Sequence, residues 1–165
     1  MGRRRVSRKG GRSGEGFTLV EAIVLLSIIG ILGAVAAPRL LSFGELEAAR
    51  AHRQALADLR HAQRRASGSG CPVQVDFQAD GYRLRQRTDC RSGAFALELV
   101  DPVTNQQPYA VTLPAGVTLA SSADPIVLDA LGRITRDDGT PTSVTIRVGA
   151  RAIEGIGETG LFRAP

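Results

Sequence analysis

Few residues in this chain have the type and spacing to do chemistry. Glu21 is the lone charge in an apolar run of 21 residues, Phe17 to Ala37. A carboxylate one turn into such a run costs roughly a few kcal/mol unless a cation meets it. Cys71 and Cys90 are the only two cysteines, enough for one disulfide. His52 and His61 stand nine apart on one helical stretch, so they point to nearly opposite sides and read as packing or surface residues. Asp137-Asp138-Gly139 sets two carboxylates side by side and reads as a solvated turn rather than a calcium site. No His/Cys/Asp cluster has metal spacing. No glycine-rich phosphate loop or nucleophile elbow is present. The sequence therefore predicts no catalytic residue, no metal, no cofactor and no enzyme activity.

Glu21 is positioned by the segments around it. The net charge is +5, and residues 1–16 hold all of it: Arg3, Arg4, Arg5, Arg8, Lys9 and Arg12 against Glu15. The remainder has fifteen arginines and fifteen acids. The basicity thus marks a leader that stays on the cytoplasmic side, and it is not evidence for nucleic-acid binding. Aromatics at 4% and no Trp also exclude a stacking platform for single strands. As a helix, Phe17–Ala37 spans about 31 Å at ~1.5 Å per residue, which matches a bilayer core of about 30 Å. Gly30 and Gly33 are small sites where another helix can come close. The run has three readings: a signal peptide cut after Ala36 in Ala34-Val35-Ala36, a plain signal anchor, or a segment cut ahead of its apolar part. Glu21 favours the third, because a cut after Gly16 frees an α-amino group on Phe17 that can pair with the Glu21 of a neighbouring copy.

Gly16-Phe17-Thr18-Leu19-Val20-Glu21, followed by the apolar run to Pro38, resembles the class III leader and N-terminal helix of type IV pilins and type II secretion pseudopilins. The likeness covers about 23 residues. It implies cleavage between Gly16 and Phe17 by a prepilin peptidase, N-methylation of Phe17, and an assembly role for Glu21. It also implies a single-pass chain in the bacterial inner membrane with its C-terminal domain in the periplasm. The apolar helix would then pack with other pilins or pseudopilins in a filament core.

The expected organisation is a cleaved basic leader, 1–16, a membrane and filament-core helix, 17–38, and a periplasmic domain, 39–165. Pro38 should kink or end the first helix. Beyond it, Ala48, Ala51, Ala55, Leu59, Ala62 and Ala66 recur at helical spacing within an amphipathic half, 39–67, with Leu46 and Leu56 at its flanks. Arg50, Arg53, Arg60, Arg64 and Arg65 lie off that stripe and read as solvated. Ser67-Gly68-Ser69-Gly70 ends the helix.

From Val73 to Gln86 the period is two, broken at Asp80-Gly81, a favoured two-residue hairpin loop. That loop predicts that Phe77 faces Leu84, Asp76 faces Arg85 and Cys71 faces Cys90. An oxidising compartment would close the cysteines into a disulfide at the hairpin base; the alternative is two buried thiols. Short strands are expected at Phe95–Val100, Tyr109–Leu113, Val117–Ala120, Ile126–Asp129, Arg133–Thr135, Ser143–Val148 and Leu161–Arg163, with Ala152–Ile156 weaker. The fold class is α+β: one long helix backed by an antiparallel sheet or two sheets.

Asp129-Ala130-Leu131-Gly132-Arg133-Ile134, Arg151-Ala152-Ile153 and Thr159-Gly160-Leu161-Phe162-Arg163 resemble the tail of the GspH/FimT family of minor pseudopilins and minor pilins. The resemblance implies a subunit of a secretion pseudopilus or type IV pilus. Some members take up DNA with a Gly-Arg-x-Arg tail. Here Gly160 and Arg163 fit that pattern, but Leu161 stands in the first arginine position and cannot hold a phosphate. DNA capture is the second reading, with Arg163 as its contact.

Overall fold

The computed structural model describes residues 18–41 and 43–165, with the side chains of residues 34–43 outside the description. Gly16 and Phe17 therefore lie outside it. Two compact units divide after Leu41.

The first unit is helix α1, Leu19–Leu41. It starts where Thr18 Oγ1 accepts the Glu21 N–H at 3.3 Å. Thr18-x-x-Glu21 has the spacing of a capping box, and Glu21 sits in the first turn, at the positive end of the helix dipole. Leu19 through Leu32 present their apolar side chains outward. Among the described residues no helix is long and apolar enough to cross a membrane. The expected span, Phe17–Ala37, starts and finishes on residues whose side chains are not described. Pro38 does not end α1, which runs on to Leu41.

The second unit opens with α2, Phe43–Ser69. Its alanine stripe is the buried face: Ala51, Ala55, Leu59, Ala62 and Ala66 are at most 5% exposed. Alanine carries no side chain beyond Cβ, so the helix axis can lie close to the strands beneath it. The off-stripe arginines are exposed, as the spacing predicts. The helix stops at Gly70, which takes φ of 67°, while Cys71 N–H returns to Ala66 O at 3.2 Å.

Ten strands follow: β1 Val73–Gln78, β2 Gly81–Gln86, β3 Leu97–Glu98, β4 Ala110–Thr112, β5 Leu119–Ser121, β6 Ile126–Leu128, β7 Ile134–Thr135, β8 Val144–Val148, β9 Arg151–Gly155 and β10 Phe162–Arg163. They form two sheets. One runs β3-β2-β1-β6-β7, with β4 also paired to β2; the other runs β10-β9-β8-β5. Every pairing is antiparallel. Val73, Val75, Leu84, Ile126, Leu128, Ile134, Ile146, Ile153 and Phe162 fill the space between helix and sheets.

The hairpin register differs from the expectation. Phe77 pairs with Tyr82, not Leu84, and Asp76 with Arg83, not Arg85. The turn is Ala79-Asp80, and neither residue takes positive φ. Gly81 is drawn into β2 because β4 crosses it there. A Cβ on Gly81 would strike the Val111 carbonyl oxygen. A two-residue shift keeps every side chain on its own face, so alternation in the sequence could not separate the two registers. Asp76 still meets Arg85, now as a diagonal neighbour at 2.8 Å. The disulfide also forms. Cys71 and Cys90 join with Cα atoms 4.3 Å apart, because the chain leaves the ladder after Gln86 and turns back. With a sequence separation of 19 between the cysteines, Cys71→Ser/Cys90→Ser should lower the unfolding free energy by about 3 kcal/mol. A lower urea midpoint would show it.

Candidate functional site

The core contains a buried carboxylate. Asp58 is three residues after Ala55 and four before Ala62, so it falls on the buried face of α2 at 7% exposure. The only two tyrosines in the chain converge on it. Tyr82, from β2, donates to Asp58 Oδ2 at 2.5 Å. Tyr109, just ahead of β4, donates to Oδ1 at 2.8 Å. His61, one turn further along α2, lies against the Tyr109 ring with centroids 6.0 Å apart.

Burial raises the Asp58 carboxyl above its ordinary value of 3.8, and this outweighs the two tyrosine hydrogen bonds that pull it down. Burial and the adjacent carboxylate push both phenols upward, so Tyr82 and Tyr109 stay protonated donors. A phenol held protonated is neither nucleophile nor base. The cluster fixes α2 to two points of the six-stranded sheet.

α2 is tied down by three further polar groups. The His52 Nε2 lies 2.9 Å from Ala152 O on β9. Arg60 donates to Phe162 O on β10 at 2.9 Å. Gln63 donates to Gly132 O at 2.9 Å. That last contact explains two glycines of the tail pattern. The Gly132 turn and the Gly160 turn abut, and a Cβ on Gly160 would collide with Gly132 O and with the Gln63 amide. Both take positive φ, 80° and 67°.

The residues expected to carry function are spread out. Glu21 is exposed in the first turn of α1, and its expected partner, the Phe17 amine, lies outside the described residues. Cys71 and Cys90 are joined. Arg163 turns toward its own chain: its guanidinium grips Glu154 Oε2 through Nη2 at 2.8 Å and Nε at 2.9 Å. His52 and His61 do point to opposite sides, one to β9 and the other to Tyr109. Asp137 lies 3.7 Å from Arg87. Asp138 Oδ1 accepts the Thr140 N–H at 2.8 Å, which holds its carboxyl below the usual range. Among the described residues no three His, Cys, Asp or Glu side chains are grouped to hold a metal ion.

The fold has counterparts of known structure. The minor pseudopilin EpsH from the Type 2 Secretion System of Vibrio cholerae superposes with a TM-score of 0.54 at 19% identity, covering 72% of this chain and 96% of that one. The type IV minor pilin FimU of Pseudomonas aeruginosa superposes at 0.51 and 15% identity, covering 70% and 90%. The fold is that of the minor pilins. No protein-family model matches the sequence, and no curated protein matches it. The pilin-like fold thus rests on three-dimensional likeness, which survives where sequence identity has fallen below 20%.

Removing the Asp58 carboxylate leaves two buried hydroxyls unpaired. Asp58→Ala should cost about 2–4 kcal/mol by the usual penalty for orphaned buried polar groups, and Asp58→Asn less. Because the folded-state value is raised, the folded chain binds this proton more tightly than the unfolded one. Asp58 therefore makes stability fall as pH rises from about 3.8 through its folded value. Melting temperatures across that window should fall less steeply in Asp58→Asn than in wild type.

Proposed function

We propose that the chain is a minor pilin-type subunit of a type II secretion pseudopilus or a type IV pilus, acting in protein secretion or pilus biogenesis. One conjunction carries the reading: the Gly16–Glu21 leader motif stands ahead of a domain with the minor pilin fold. A prepilin peptidase removes residues 1–16 at the inner membrane, and Phe17 is N-methylated. Phe17–Ala37 anchors the chain in the bilayer, with the domain in the periplasm. On assembly the same helix leaves lipid for the filament core. There Glu21 neutralises the Phe17 amine of a neighbouring pilin or pseudopilin. Loss of one partner of such a pair leaves an uncompensated charge in low dielectric, which costs far more than losing a surface pair.

Two substitutions separate the steps. Gly16→Glu should block cleavage, seen as a chain that keeps its leader and its slower gel mobility when the peptidase is co-expressed. Glu21→Ala should be cleaved normally but be missing from sheared filaments. A wild-type chain whose mobility is unchanged by the peptidase would overturn the reading.

The Arg163–Glu154 pair weighs against DNA capture, since phosphate would have to displace the carboxylate oxygen that Nε and Nη2 both hold. The expected result with duplex DNA is a mobility shift no larger for wild type than for Arg163→Ala. A salt-sensitive shift lost in that variant would restore DNA binding as the function.

A further inference from the structure

The domain is neutral in sum but polarised. Residues 43–165 hold fourteen arginines and fourteen acids. From Ala48 to Ser69, α2 carries five of the arginines, and its one acid there, Asp58, is buried. Residues 70–165 carry nine arginines against eleven acids. The positive excess therefore lies along one helix.

The turn of that helix gathers the charge. At about 100° per residue, Arg50, Arg53, Arg60 and Arg64 fall in an arc about 80° wide. The arc is nearly opposite the stripe from Ala51 to Ala66 that packs on the sheets. It runs about 21 Å along the axis at ~1.5 Å per residue. All four arginines are exposed, as is Ala57 in the middle of the row. Glu45 and Glu47 lie outside the arc. Among the described residues none of the four makes an ion pair. Arg60 gives one nitrogen to Phe162 O.

A row of exposed, unpaired cations fits an extended anionic surface. A second copy of the chain presents the same row and is repelled by it. Lipid headgroups are the anions nearest to hand. On the reading of Phe17–Ala37 as a bilayer anchor, on which this inference rests, Arg50 comes thirteen residues after the end of the span. Thirteen residues reach about 45 Å fully extended and about 20 Å as helix. The tether thus keeps the row within reach of the headgroups. Each arginine close to an anionic membrane surface strengthens binding about fivefold, by attraction that needs no fixed geometry.

We propose that the Arg50–Arg64 row of α2 lies on an anionic lipid surface while the chain is anchored in the membrane. The acidic excess of the strands and loops then faces away from lipid. The rotation of α2 that buries its alanines is the one that turns its arginines outward. This is a second membrane contact, electrostatic and reversible, beside the apolar anchor.

The test places the full-length chain in vesicles whose headgroups carry a nitroxide quencher, with a fluorophore on Ala57→Cys inside the row. Vesicles of phosphatidylglycerol and phosphatidylcholine should quench it at about 0.1 M salt, and about 1 M salt should release it. Vesicles of phosphatidylcholine alone should not quench it. A label on Thr145→Cys, on the outer face of β8, should stay bright in both. Arg53→Glu/Arg64→Glu should cut the quenching roughly fivefold or more, whereas Arg53→Lys/Arg64→Lys should keep it. An intact Cys71–Cys90 bond in each variant controls for folding. Equal quenching in both vesicles, or quenching that survives high salt, would overturn the contact. So would a label left bright in anionic vesicles but shielded in native membranes, which would give the face to an acidic protein. Flotation with the phosphatidylcholine vesicles reports on the anchor alone. A chain that floats there yet stays bright with phosphatidylglycerol loses only this contact. One that is quenched with phosphatidylglycerol but does not float there loses only the anchor reading.

Discussion

The seating of α2 on two sheets governs the rest of the domain. Neither sheet could bury its inner face alone, and one helix covers both. That demands a helix face that is apolar but shallow, and the alanine stripe supplies it. It also demands something directional, because burial has no preferred azimuth. Asp58 supplies that on the six-stranded side, through Tyr82 and Tyr109. His52 and Arg60 supply it on the four-stranded side, and Gln63 adds a tie to the β6–β7 turn of the six-stranded sheet. The polar groups fix the rotation and slide of the helix, and the alanines fix its height.

Much of this was legible in the residues. The stripe from Ala51 to Ala66, the two-residue alternation of the hairpin, the short strands and the α+β class all follow from periodicity. Asp58 was not read. The apolar spacing passes through residue 58, but a carboxylate there looks like an interruption until its partners are known. Those partners are 24 and 51 residues further on, and no local pattern links them. The hairpin register was misread for a related reason. Turn chemistry at Asp80-Gly81 pointed to one loop, and a distant strand, β4, chose another. The disulfide came through because it needs only proximity at the neck of the hairpin.

The charge distribution separates transit from residence. All the excess positive charge sits in the first sixteen residues, and the rest of the chain is balanced. Under the proposed cleavage after Gly16, the subunit that remains would carry no net charge. Neutral neighbours can then approach at short range without long-range repulsion, and local pairs rather than bulk charge decide the fit.

The choice of register by β4 has a consequence for how the chain reaches its final form. Gly81 to Arg83 pair with Thr112 to Ala110, about thirty positions downstream. Until that strand arrives, side-chain faces alone leave the β1–β2 ladder free to align in either of two ways. The hairpin is thus not an autonomous seed, despite its tight turn. Its alignment is set late, by a long-range closure of the kind that slows folding. Residues 110–112 must therefore be in place before the alignment of the first two strands is fixed.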